Sequence, residues 1–401
     1  MSYLIAGCGP GGIRCAEEIR RRDKTGEIVM ISPEDSRPYS RITVPEYLTG
    51  EVEKENIYFK PESFFADNNI KLITGRTLVS LKPEKHTAVL DSGEELSYSK
   101  LLLATGSSPA MPPWANVNIS GVHKLWGKAD AESLAKKIRA GEKAIIIGGG
   151  LVGMQAARAL SDHGLDVCVL EAADRLMFQQ LDETAAEMLK NAAQNTGIRI
   201  ETDVFVEEIR EKDSRACGVT LRSGEKIEAG HILICVGVRP NLGMLDGLDL
   251  DCQRGLETDL TMRTSIPDVF AAGDIVRTTV FGGESQEIRA IWINAVRQGT
   301  IAGANMAGGN EVFEGSRALN SIQLFGLAIA SAGSISAAEG MTEEILSYPV
   351  SGTYCKLVME GDVLRGALIA GDIQYAGPLF AKIGRPLNGF LGKAAEIMAG
   401  R

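Results

Sequence analysis

The sequence predicts an α/β protein of two doubly wound, nucleotide-binding-type domains, one inserted in the other, followed by a small α+β C-terminal domain. Three observations predict it. The order apolar run, glycine-rich turn, helix-compatible stretch, second β-type run occurs twice. A downstream echo of each copy aligns without a gap: Ser92-Gly93-Glu94 leads to residues 101–106, and Ser223-Gly224-Glu225 leads to residues 232–237. The tail from about Gly315 has a different style, a hairpin followed by short helix-like stretches.

In the first copy, Tyr3-Leu4-Ile5-Ala6 precedes Gly7-Cys8-Gly9-Pro10-Gly11-Gly12, a helix expected over 13–22, and Ile28-Val29-Met30-Ile31. In the second, Ala144-Ile145-Ile146-Ile147 precedes Gly148-Gly149-Gly150-Leu151-Val152-Gly153, a helix over 154–163, and Val167-Cys168-Val169-Leu170. A repeat of this size is a duplicated domain, not a solenoid unit. Pro109, Pro112, Pro113 and Gly121 mark the crossing into the second domain, and Pro240-Asn241 marks the return. The expected domains are 1–110 with 242–314, then 111–241, then 315–401. In the last, Glu360-Gly361-Asp362 turns between β-type runs at 354–359 and 363–369, and helix-like stretches follow at 375–383 and 389–399.

Each glycine has a steric task. Gly7 and Gly148 let the chain turn out of the strand. Gly9 and Gly150 let backbone approach a pyrophosphate, and Gly12 and Gly153 let the helix pack close to the sheet. The helix starts, at Pro10-Gly11 and Leu151-Val152, offer free N–H groups and partial positive charge to phosphate. One such motif can be a glycine turn without a ligand; two in strand–turn–helix context point to two bound dinucleotides. Glu171 closes the second repeat directly after Leu170. A carboxylate there accepts from both ribose hydroxyls and repels a 2′-phosphate, which predicts NAD(H) over NADP(H), with nearby Arg175 softening the preference. In the first copy Ser32 holds the equivalent place, and Glu34 is the candidate for the other adenosine ribose. A solvated loop residue is the competing reading of both glutamates.

Composition bounds the function further. Lys plus Arg number 42 against 52 Asp plus Glu, a formal net charge of −10, which argues against a general nucleic-acid binder. The seven cysteines are dispersed, with no C-x-x-C pair and no zinc-type cluster. No metal site is expected, and the cysteines read as free thiols of a reducing compartment. No signal-peptide pattern opens the chain, and no apolar run approaches the roughly 18 residues of a membrane helix, so a cytoplasmic protein without membrane contact is expected. Arg20-Arg21-Arg22 and Lys24 fall at the expected end of the first helix, where cations complement the dipole. Trp114 and Trp126 are read as packing residues.

A third signature lies downstream: Thr264-Ser265-Ile266-Pro267-Asp268-Val269-Phe270-Ala271-Ala272-Gly273-Asp274. With the paired glycine motifs and Ala104-Thr105-Gly106, it resembles the pyridine nucleotide-disulfide oxidoreductases over roughly residues 2–309, and more loosely in the tail. The resemblance implies two Rossmann-like domains, FAD in the first and NAD(P)H in the second, and a C-terminal interface domain that often forms homodimers. It implies that Asp274, after Gly273, binds the flavin's ribityl chain, a carboxylate accepting from sugar hydroxyls. Trp292-Ile293-Asn294-Ala295-Val296-Arg297-Gln298-Gly299 resembles the family helix whose N-terminal end points at the flavin pyrimidine and stabilises the anionic reduced ring. An ordinary amphipathic helix is the competing reading. Gly237, at the end of the second echo, is counted with Ala104, Thr105 and Gly106 among the cofactor-binding residues.

Disulfide-type members of that family carry a Cys-x4-Cys pair or a single Cys on the helix after the first ribose loop. Here the stretch reads Pro38-Tyr39-Ser40-Arg41-Ile42-Thr43-Val44-Pro45-Glu46-Tyr47-Leu48, and Ile42 lies about where the single Cys would fall. Those members also use a His near the C-terminus; here His86, His123, His163 and His231 all lie earlier. Cys8 and Cys15 read as packing groups. Disulfide exchange needs a thiolate, so the electrons must leave another way. Pro38-Tyr39-Ser40-Arg41, Arg175-Leu176-Met177 and Gln180-Leu181-Asp182 resemble the branch of rubredoxin reductases, ferredoxin reductases and nitrite reductase flavin portions. That branch implies hydride transfer from NADH to FAD, then electrons to a separate iron–sulfur or rubredoxin-type acceptor. Arg41 is the candidate for the FAD phosphate or the flavin pocket, against a plain surface arginine. Family members often hold a Glu near the nicotinamide two residues after the second motif. Gln155 stands there, able to hydrogen-bond but without charge. An NADH oxidase reducing oxygen, and a non-catalytic flavin- and NAD-binding subunit of a larger complex, are the competing functions.

Overall fold

The computed structural model describes residues 1–250, 252, 254–283, 285–348 and 352–387. They form two compact units. The first comprises Met1–Ser40, Tyr58–Ser108 and Val238–Arg317; the second comprises Arg41–Ile57, Pro109–Gly237 and the chain from Ala318. The stretch 41–57 thus groups with the second unit, where the sequence boundaries place it in the first domain, and the tail shares that unit.

In the first unit, strand Ser2–Ala6 is the centre of a five-stranded parallel sheet. The order is Val269–Ala271, Lys100–Leu103, Ser2–Ala6, Glu27–Ile31, Ile70–Ile73. The strands read as unbroken apolar runs because both faces are covered. Leu4, Ala6, Leu101 and Leu103 pack on one side with Leu78 and Leu90 of a small antiparallel sheet. Tyr3, Ile5, Leu102 and Phe270 pack on the other, with Ile13 and Ile19 of helix Pro10–Arg22 and Ala302 and Met306 of helix Trp292–Met306. From Ser2–Ala6 the next two strands lie to one side and Lys100–Leu103 to the other. That reversal opens a crevice at the carboxyl ends of the two central strands.

The two helices touch through glycine. A β-carbon on Gly299 would stand 2.1 Å from the Gly11 carbonyl oxygen, and one on Gly303 would stand 2.6 Å from that of Cys15. At the end of helix Pro10–Arg22, Arg20 donates to the carbonyls of Asp23, Gly26, Asn68 and Asn69. Arg21 and then Arg22 hold the Glu18 carboxyl down at about 2. These arginines close the helix and its following loop, in keeping with their place at the negative end of the dipole.

The second unit repeats the plan, in the order Arg199–Glu201, Asp166–Leu170, Lys143–Ile147, His231–Ile234, Val122–His123, all parallel. Its edge strand Val122–His123 comes earliest in the chain, whereas the corresponding edge strand of the first unit, Val269–Ala271, comes last. Helix Leu151–Asp162 follows the central strand, and the antiparallel ribbon Val206–Lys212 with Arg215–Leu221 packs on Ile145, Ile147 and Ile232. The tail of this unit forms an antiparallel sheet ordered Leu319–Leu324, Leu327–Gly333, Val363–Ala370, Thr353–Glu360, Thr342–Tyr348. The expected hairpin is present, with Gly361 at φ 59, and helix Ala376–Phe380 falls within the expected 375–383. The helix expected at 389–399 lies outside the described residues. Asp182 joins the tail sheet to the helix Glu183–Gln194. It caps that helix at Ala185 N (3.0 Å) and accepts from the Tyr354 hydroxyl (2.5 Å) and from buried Lys356 (2.9 Å). Among the described residues, no helix is long and apolar enough to cross a membrane.

Two predictions follow from this packing. Gly299→Ala should lower stability by about 1–3 kcal/mol through overpacking, read as a lower urea midpoint. An unchanged midpoint would mean that the helices part freely. The second concerns His123, buried with Nε2 3.2 Å from Nδ1 of His231, whose Nε2 lies 3.0 Å from Glu142 Oε2. Burial, then His231 and Lys137, pull His123 down to about 4 from its ordinary 6.5. The unfolded chain therefore takes up a proton near pH 6.5 that the folded chain refuses until about pH 4. Stability present above pH 6.5 should fall as the pH drops through that window, by about 3 kcal/mol in all. Urea titrations from pH 7 to 4 should show the slope, and His123→Phe should flatten it.

Candidate functional site

The two glycine motifs build the same cradle, bond for bond. Gly7 N donates to Ile31 O at 2.9 Å, and Gly148 N to Leu170 O at 2.8 Å. Ala104 N donates to Ala6 O at 2.8 Å, and Cys235 N to Ile147 O at 2.8 Å. Gly7 and Gly148 sit at φ +116 and +108, and a β-carbon on either would run into the carbonyl of Ala104 (2.0 Å) or Cys235 (2.3 Å). On Gly12 or Gly153 it would stand 1.9 Å from the carbonyl oxygen of the motif's own first glycine. The third glycine is thus demanded by the first, more than by the sheet behind it.

The helix starts fit a dinucleotide phosphate. Gly9 and Gly150 are the N-caps, and no side chain caps either helix. A β-carbon on either glycine would meet nothing within 4 Å, so the space outside the unpaired N–H groups is open. Pro10 takes the first helical position, where its missing N–H costs nothing.

The expected ribose carboxylates are held in place by their own cradles. Glu171 is buried; its Oε2 accepts from Gly149 N (2.5 Å) and its Oε1 from Ala173 N (2.7 Å). Each oxygen keeps a lone pair for a hydroxyl. Arg175 is engaged by Asp174 and by the carbonyls of Leu181 and Phe178. Glu34 accepts from the Tyr39 hydroxyl at 2.7 Å, and the Ser32 hydroxyl donates to the Glu34 carbonyl at 3.0 Å.

Asp274 follows strand Val269–Ala271 through the positive-φ Gly273. Its Oδ2 accepts from the Ser107 hydroxyl at 2.7 Å. Gly273 N donates to Oε1 of buried Gln298 at 2.8 Å, so helix Trp292–Met306 holds the turn. That helix starts without a side-chain cap; Trp292 meets Phe59 edge-on at 5.0 Å, and buried Asn294 anchors the first turn to Arg289 and Arg317 backbone. Ala104-Thr105-Gly106 is clamped by Asn241: its Nδ2 donates to Thr105 O (2.9 Å), its N to Gly106 O (2.9 Å), and its carbonyl accepts from the Thr105 hydroxyl (2.8 Å). Ser107, Gln298 and Asn241 were not singled out by the sequence. Asn241 carried a signal only as part of a Pro-Asn crossing.

The remaining candidates fall in the second unit. Arg41 opens the short turn Arg41–Thr43, exposed, with its guanidinium 5.4 Å over the Trp126 ring. Gln155 is half-buried on helix Leu151–Asp162. Gly237 adopts φ +98, and its carbonyl accepts from Ala110 N. Trp114 packs on the apolar cluster under the ribbon. All seven cysteines are free, and burial pushes Cys8, Cys235 and Cys355 up to about 12, Cys168 to about 11, and Cys15 well above its usual range. Ile42, where a redox cysteine was sought, is exposed.

Comparison with known proteins agrees with this geometry. The family model for pyridine nucleotide-disulphide oxidoreductases matches residues 1–299. The chain is 32% identical over 362 residues to subunit epsilon of the NADH-dependent phenylglyoxylate dehydrogenase of Aromatoleum evansii, covering 90% of this chain and 86% of that protein. It is 31% identical to a rubredoxin-NAD(+) reductase of Pseudomonas putida, covering 77% of this chain and 80% of that one. The structure of the NADH:rubredoxin oxidoreductase of Clostridium acetobutylicum matches with a TM-score of 0.79 at 25% identity, over 99% of this chain and 100% of that chain. Two longer relatives from Bacillus subtilis are covered over only 47% and 48% of their length. The chain belongs to the pyridine nucleotide-disulphide oxidoreductase family, as an NAD(P)H-dependent flavin oxidoreductase that uses FAD and NAD(H).

Proposed function

We propose that this chain draws electrons from NADH and delivers them to a separate iron–sulfur or rubredoxin-type protein. The observation that carries the reading is that exposed Ile42 occupies the place of a redox cysteine, while desolvation keeps Cys8, Cys15 and Cys235 of the cradles neutral. The likeness to a rubredoxin-NAD(+) reductase supports it. When bound, FAD accepts a hydride and releases electrons one at a time. The chain's own residues bind, orient and tune. In this reading FAD lies in 1–110 with 242–314, against Gly7 to Gly12, Glu34 and the Ala104-Thr105-Gly106 turn. Asp274 accepts from the ribityl hydroxyls, and the open start of the Trp292 helix favours negative charge on the reduced ring. NADH lies in 111–241, against Gly148 to Gly153, Glu171 and Gly237, with Gln155 beside the nicotinamide. Arg41 is assigned to the FAD phosphate or the flavin pocket.

A second reading has one observation in its favour. The likeness to a subunit epsilon runs over nearly the whole chain, so the acceptor can be a partner subunit in a larger assembly. The antiparallel tail sheet is the candidate homodimer surface. The seven free cysteines favour a reducing, cytoplasmic setting.

Anaerobic NADH should bleach the flavin of the purified protein, and added rubredoxin or [2Fe–2S] ferredoxin should restore its colour much faster than oxygen does. Oxygen outpacing both proteins would establish the oxidase instead. Treating the NADH-reduced protein with N-ethylmaleimide should leave the transfer intact; its loss would reveal a sulfur relay. Asp274→Ala and Gln298→Ala should each weaken FAD retention, about 10- to 100-fold in Kd for Asp274 and less for Gln298, measured by flavin release on dilution. Full retention in Asp274→Ala would remove this residue from the flavin site.

A further inference from the structure

A small cavity in the second unit is shared by two helices that are distant in sequence. Helix Val44–Thr49 brings Glu46 to it, and helix Leu151–Asp162 brings Gln155 and Arg158. Its volume of about 10 Å³ is near the least that holds one water. Oε2 of Glu46 is buried and makes no hydrogen bond. Arg158 and Thr49 are partly engaged by other residues. Arg158 pairs with Glu51 and, at 3.4 Å, with Asp162, and the Thr49 hydroxyl donates to the Glu46 carbonyl. The Gln155 amide and the remaining N–H groups of Arg158 are the donors at the cavity with an N–H to give, and of the two it is Gln155 that lies on the first turns of the glycine-motif helix.

We propose that Glu46 is a positioning residue for Gln155 and supplies the negative charge that family members carry at that position. An ionised carboxylate only accepts, so Gln155 turns its Nε2 toward Glu46, directly or through one water, and presents its Oε1 outward as an acceptor. That Oε1 suits the N–H of the nicotinamide carboxamide. The Glu46 charge behind it favours the cationic oxidised ring over the neutral reduced one. The carboxylate has in effect moved from one helix to the other, with an amide as relay. The inference rests on the proposed place of Gln155 beside the nicotinamide.

The test is a set of NAD⁺ and NADH dissociation constants for the FAD-loaded protein as wild type, Glu46→Gln, Gln155→Ala and the exchange Glu46→Gln with Gln155→Glu. Glu46→Gln should weaken NAD⁺ by about 5- to 10-fold and NADH by less than about 2-fold. The exchange should bring the NAD⁺ constant back near wild type, an outcome that a merely structural role for Glu46 does not give. An unchanged NAD⁺-to-NADH ratio in Glu46→Gln, with a shifted one in Gln155→Ala, overturns the role of Glu46 while leaving Gln155 at the nicotinamide. No shift in either variant overturns the placement of Gln155 as well. Flavin content and melting temperature check each variant's fold, and if Glu46→Gln alone fails to hold flavin, the exchange variant decides.

Discussion

In each unit, one carbonyl oxygen leaves no room for a β-carbon, and the rest of the cradle depends on that contact. The oxygens of Gly7 and Gly148 stand so close to Gly12 and Gly153 that any side chain there would displace the helix. With glycine in place, the helix can begin at the strand's end, with its axis and unpaired N–H groups aimed into the crevice between the two central strands. The same geometry explains why no side chain caps either helix: the first turn keeps its N–H groups for an anion. An ordinary Ser or Asp cap would compete for the same donors.

Around that constraint, the functional groups are held by residues from elsewhere in the chain. Gln298 fixes the turn before Asp274, Ser107 orients its carboxylate, and Asn241 clamps the strand crossing at Thr105. Glu171 is held by two backbone N–H groups of its own cradle. Its carboxylate is therefore fixed in place before any ligand arrives. A 2′-phosphate would meet that charge directly.

Under the proposed reading, redox chemistry without a thiol places its demands on electrostatics. Desolvation favours the neutral thiol at buried Cys15 and at half-buried Cys8 and Cys235 of the cradles. What remains to tune the cofactors is the direction of helix starts and the placement of a few carboxylates. The cavity holding Glu46 and Gln155 belongs to this economy of charge, since it brings a carboxylate to a place where the glycine-motif helix has only an amide.

The two nucleotide-binding folds, their strand–turn–helix units and the glycines within them were legible in the amino-acid order alone. Those features rest on local sterics and on hydrophobic runs, which are written in adjacent residues. The sequence also singled out Asp274 and Glu171 as site candidates and Ile42 at the place of a redox cysteine, since motif spacing carries those positions. Only the tertiary structure decided which side chains hold them. Thr105 meets Asn241, Ser107 meets Asp274, Asp182 meets Tyr354, and Glu46 shares a cavity with Gln155 across more than a hundred residues of chain. It also grouped 41–57 with the second unit, taking Arg41 to Trp126. No periodicity or propensity encodes such pairings, because they form only when separate elements close on one another and bury the polar groups between them.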